Sequence, residues 1–125
     1  VNSALRDLQT AYLLWFTSED QLTAASEERD QLRAALRAQN ARLEADRLAR
    51  DPNAAAAAAA RQRADEFAAE LPEEMLELPN IEELLRDRNQ DVADIEEEEE
   101  TAQRTFYESQ HRFWNALQTL QRRCR

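Results

Sequence analysis

Two rows of mainly apolar residues, stepping alternately by three and four, organise this chain. The first runs Ala4, Leu8, Ala11, Trp15, Ser18, Leu22, Ala25, Arg29, Leu32, Leu36, Gln39 and Leu43. The second runs Ile81, Leu85, Arg88, Val92, Ile95, Glu99, Ala102, Phe106, Ser109, Phe113, Ala116 and Leu120. A mean step of 3.5 keeps such a row on one side of an α-helix and winds it left-handedly against a partner. Each row covers about 40 residues, roughly 60 Å at 1.5 Å per residue. The pattern predicts a first long helix over residues 1–50, a linker over 51–79 and a second long helix over 80–125. Within the linker, Asp51, Pro52 and Asn53 either cap a new helix or kink the continuing one. Ala54 to Ala60 favour helix but form no amphipathic side, so they read as a plain helical spacer. Pro72 and Pro79 bracket Glu73–Leu78, and Pro79 or Asn80 opens the last helix.

Two rows of equal length joined by a linker predict an all-α, elongated antiparallel helical hairpin or coiled coil. A parallel pair would need the linker to run back along the whole length, roughly 60 Å. If facing residues have numbers summing to about 124, Leu8 meets Ala116, Ala11 meets Phe113, Trp15 meets Ser109 and Ser18 meets Phe106. Each large side chain then meets a small one, as close packing favours. In that register Glu99 faces Ala25, one turn from Arg29, so Arg29 and Glu99 are expected to form a register-fixing pair.

Several large apolar residues are left over. Leu13, Leu14 and Phe16 lie off the first row; Tyr107, Trp114 and Leu117 lie off the second. Together with Trp15 and Phe113 they fall at the open end of the hairpin and form the expected association surface. A two-helix hairpin also has little core for its surface. The expectation is therefore a homodimer, as a four-helix arrangement over the aromatic end. The alternative is that the linker helix covers these residues within one chain.

Composition supports long helices. There is no Gly and only three Pro, so tight turns of sheets and barrels are poorly served. Formal net charge is −10, which disfavours nucleic acid and anionic membrane as partners. Residues 65–100 hold sixteen acidic residues against Arg86 and Arg88. Arg104, Arg112, Arg122, Arg123 and Arg125 leave the other end of the hairpin mildly basic, so unlike ends are placed to attract and join copies end to end. No apolar run approaches the ~20 residues needed to span a bilayer. The chain begins at Val1 and ends within a helical pattern, and it reads as a piece of a larger protein.

Candidate chemistry is sparse. His111 lies off the contact row and has no second His beside it, and Cys124 is the only Cys. Neither recognisable zinc spacing nor a paired thiol and base follows from these. Glu96 to Glu100 encircle a helix and read as a solvated side, not as an acid–base pair in a pocket. Calcium ligation would need a spaced loop, usually with Gly. No catalytic, cofactor-binding or metal residues are assigned, no cofactor is expected, and the chain is read as non-enzymatic.

The stretches Ala34–Arg50, Leu78–Glu100 and Phe106–Arg123, rich in Ala, Leu, Glu and Arg and free of Lys and Gly, carry a family resemblance. In composition and architecture they resemble the central helical region of the large tegument protein of herpesviruses. That resemblance implies a scaffold in the tegument of a virion, with roles in assembly and capsid transport and with capsid or tegument proteins as partners. It also implies an intracellular setting in host cytoplasm and nucleus. The family's cysteine protease lies far N-terminal of such a region, and none of its residues maps here. The function expected from the residues is a scaffold or spacer rod that mediates protein–protein association. The alternative is a regulatory coiled-coil module that captures a partner helix.

Overall fold

The computed structural model describes residues 1–50 and 53–124, and of Ala54 the backbone alone. The alternatives for Pro52, the capping role of Asp51 and the charge of Arg125 fall outside the described residues. Four helices account for nearly all of the rest: α1 (Asn2–Leu48), α2 (Ala54–Ala69), α3 (Glu73–Leu76) and α4 (Ile81–Arg123). Among the described residues there is no strand. The fold is all-helical, with long helices packed against each other.

Local chemistry sets the helix ends. α1 meets no Pro or Gly along its length, and its last turn tightens where the Arg50 N–H donates to Arg47 O at 3.3 Å. There Arg47 grips Glu44, with Nη2 2.6 Å from Oε1. That hydrogen bond and charge hold the Glu44 carboxyl below its usual range. Asn53 caps α2, its side-chain oxygen accepting the Ala56 N–H at 3.3 Å. Pro72 disfavours helical backbone at Leu71 and so separates α2 from the single turn of α3. Asn80 then adopts φ 56°, and its carbonyl accepts the Leu84 N–H at 3.0 Å as α4 begins. Asn tolerates this left-handed backbone better than most residues. Asn80→Gly should therefore change stability by less than about 0.5 kcal/mol, and Asn80→Val should cost about 1–2 kcal/mol. Thermal unfolding followed by circular dichroism reads both; equal melting of the two would contradict the role given to Asn80.

The helices contribute to two compact units, each drawing on both long helices. Unit 1 comprises Val1–Ala25 and Asp91–Arg125, and unit 2 comprises Ser26–Gln90. In unit 1 the first half of α1 packs antiparallel on the second half of α4. Ala11, Ala25, Val92 and Ser109 are buried along the line of contact. Leu8, Trp15, Leu22, Ile95, Glu99, Phe106 and Phe113 are half-buried beside them.

Unit 2 has three layers. Leu32, Leu36 and Gln39 of α1 lie toward the start of α4, where Ile81 is buried and Leu85 half-buried. Arg88 Nη1 reaches Glu28 Oε2 at 3.0 Å across this contact. The Gln39 amide donates to Leu78 O at 3.1 Å and ties the α3–α4 link to α1. A second side of α1, with Ala34, Ala38, Ala41, Ala45 and Leu48 at steps of three and four, is buried or half-buried and packs against α2. Ala35 and Ala38 are fully buried, and Ala64 on α2 is 2% exposed. Phe67 of α2 lies under the Arg37 guanidinium, 5.6 Å from ring centre to Cζ. The plain-spacer reading of the Ala-rich stretch is thus corrected for α2. Ala56, Ala57 and Ala60 are half-buried, and small side chains let the two backbones approach closely.

Candidate association surface

The surface is built outward from Trp15. Its indole ring lies on Phe106 and Tyr107, with ring centres 5.1 and 5.9 Å away. The Nε1–H donates to Glu99 Oε1 at 2.8 Å. Tyr12 extends the cluster, 5.9 Å from Phe106 and stacked on Phe16 at 6.4 Å. The rings meet at angles and spacings that aromatic pairs favour, worth about 0.5–1.5 kcal/mol per pair beyond burial.

These contacts correct the expected register. Trp15 reaches both Glu99 and Phe106, so facing numbers in unit 1 sum to about 117 instead of about 124. The shift is one heptad and leaves the same residues in each row. The register with Trp15 opposite Ser109 matched sizes but offered the indole N–H only a neutral hydroxyl acceptor, weaker than a carboxylate. The observed register supplies the carboxylate of Glu99.

Of the expected register pair, Glu99 belongs to unit 1 and Arg29 to unit 2. Glu99 is taken by Trp15, and Arg29 Nε lies 3.5 Å from Asp30 Oδ1. Arg29 Nε is buried and makes no hydrogen bond. The interhelical polar contact that marks register in unit 1 is therefore Trp15 with Glu99. The run Glu96–Glu100 is not one solvated side either: Glu99 is half-buried, and Glu97 and Glu98 line a groove.

Of the residues assigned to the association surface, Leu13, Leu14, Phe16, Tyr107 and Trp114 are exposed. Trp15, Phe113 and Leu117 are half-buried. The exposed ones do not share one side. Tyr12 and Phe16, in ring contact with each other, join Phe106 and Tyr107 on one flank of the helix pair. Trp114, one heptad after Tyr107 and 59% exposed, continues that flank. Val1 and Leu5, also exposed, extend it along α1. Leu14 lies on the other flank, in a groove, and Leu13 points away from α4. Sequence reasoning missed Tyr12 and Leu5, although their spacing to Phe16 and Val1 was visible. His111 and Cys124 are exposed. Among the described residues, no group of three or more His, Cys, Asp or Glu side chains is arranged to hold a metal ion. None of the described helices is long and apolar enough to cross a membrane.

The structure defines a class: an all-helical protein whose most distinctive surface is an exposed aromatic flank. No family model, curated protein or solved structure matches the chain.

Proposed function

We propose that this chain is a structural scaffold segment that acts by protein–protein association, with the aromatic flank of unit 1 as its contact surface and a second copy as its partner. The observation that carries the reading is the placement of Tyr12, Phe16, Tyr107 and Trp114, all at least half exposed, along one flank. Contiguous apolar surface of this kind marks association sites, and aromatic residues dominate the energetics of such contacts. Area supports the same reading. The chain exposes 9463 Å², against about 6,900 Å² for a compact monomer of its mass. Covering one flank in a contact of ordinary size, about 800 Å² per partner, would absorb about a third of that excess. The two matched rows fit an antiparallel coiled-coil hairpin, and two such hairpins joined over their aromatic flanks form a four-helix arrangement. In the tegument setting that the sequence resembles, the scaffold would link capsid and outer-layer proteins.

Phe16→Glu and Trp114→Glu test the surface directly. Each is expected to weaken self-association by about thirty-fold or more, the effect of losing roughly 2 kcal/mol at a contact anchor. Helical content should not change. Sedimentation equilibrium reads the mass, and an unchanged mass in both variants would contradict the assignment. The groove beside Leu14 favours a second reading, a module that captures a partner helix. Such a module would be monomeric when pure and would gain stability only with its partner.

A further inference from the structure

The flank of unit 1 away from the aromatic cluster has a different character. Leu14 is two residues from both Tyr12 and Phe16, hence about 200° round α1 from each. It stands 58% exposed beside an open groove of about 680 Å³ floored by Ala11 and Ala102. The α4 wall of the groove carries Asp94, Glu97 and Glu98, then Thr101 and Thr105, and none of the described residues lining it is basic. The basic residue lies further along the same line. Arg112 is exposed and falls one heptad after Thr105, as Glu98 falls one heptad before it. Residues a heptad apart occupy nearly the same position round a helix. Glu98, Thr105 and Arg112 therefore form a line about 21 Å long, acidic at one end, neutral at the centre and basic at the other.

A line of this kind is complementary to itself when reversed. We propose that this flank is a second self-contact, in which another copy lies antiparallel about a two-fold axis near Thr105. Each Glu98 then meets the Arg112 of the other copy, and the two pairs are equivalent, as an isologous contact requires. Leu14 shares the groove with Thr101 and Ala102, close to that axis. It supplies an apolar knob for the other copy's groove. Charge pairs at the rim of such a contact set orientation and make it sensitive to salt. The contact stands on its own observations. Its consequence, that copies joined alternately by the aromatic and the polar flank form open rows, rests on the aromatic association proposed above.

The test is sedimentation velocity of the chain in about 20 mM and about 500 mM salt, conditions that separate long-range from short-range screening. The unmodified chain should be heavier than a dimer at low salt and a dimer at high salt. Glu98→Arg and Arg112→Glu should each weaken the low-salt contact at least tenfold. The double variant, which restores opposite charges across the axis, should recover it. Circular dichroism confirms that each variant keeps its helices. In a Phe16→Glu background, the polar flank alone should still give a dimer at low salt. A monomer there overturns the proposal whatever the aromatic flank does, as does a double variant no better than the single ones.

Discussion

Trp15→Ala is expected to destabilise unit 1 by about 3 kcal/mol, at the low end of the cost of removing a large core aromatic because Trp15 is only half-buried. The substitution removes the ring that touches both Phe106 and Tyr107. It also leaves the Glu99 carboxylate at the helix contact without its 2.8 Å donor. Trp15→Phe separates the two effects. It keeps most of the packing and loses the hydrogen bond, so it should cost about 1–2 kcal/mol, as for a bond to a charged acceptor. Urea unfolding followed by circular dichroism measures both. If Trp15→Phe were as damaging as Trp15→Ala, the hydrogen bond would outweigh the ring contacts and the packing account would be wrong. If both were neutral, the register derived from Trp15 would lose its physical basis.

Ala38→Leu should destabilise unit 2 by about 2–3 kcal/mol, the usual cost of forcing a large side chain into a filled core. On a solvent-facing side of a helix the same change is nearly neutral, because Ala and Leu are both strong helix formers. Ala38 is 0% exposed on the side of α1 that packs against α2. The expected loss therefore comes from separating α1 from α2. Ala41→Leu, at a half-buried position of the same side, should show a smaller loss. Protection of α2 amides from hydrogen exchange distinguishes the mechanism. It should fall in Ala38→Leu while amides of unit 1 keep theirs. Unchanged α2 protection would contradict close packing of the Ala-rich helix.

The two rows of apolar residues were legible in the sequence because a heptad pattern specifies which side of a helix is covered. All but Leu43 and Leu120 of the residues in the two rows are buried or half-buried. Axial register was not legible by the same route. A shift of one heptad leaves each row intact, so apolar periodicity cannot distinguish facing sums of about 117 and about 124. Matching large to small residues does not fix the register either, because at a sum of about 117 Trp15 falls opposite Ala102 and Ala11 opposite Phe106, again large against small. Glu99 looked like a charged intrusion in the row and is the acceptor that Trp15 needs. The α2-facing side of α1 was hidden for another reason. Ala serves equally on exposed and buried sides of a helix, so Ala34, Ala38, Ala41 and Ala45 do not stand out as a second contact row. For the candidate surface, the sequence identified Phe16, Tyr107 and Trp114 as left-over apolar residues. It did not separate their flank from that of Leu14, which requires knowing how the helix pair is turned.

The proposal that a second copy covers the aromatic flank is tested most directly by sedimentation equilibrium of the unmodified chain at high salt, where the charge-dependent contact is suppressed. The account predicts twice the chain mass of 14.5 kDa, with dissociation only on dilution. A single species of 14.5 kDa at concentrations of tens of micromolar would contradict it.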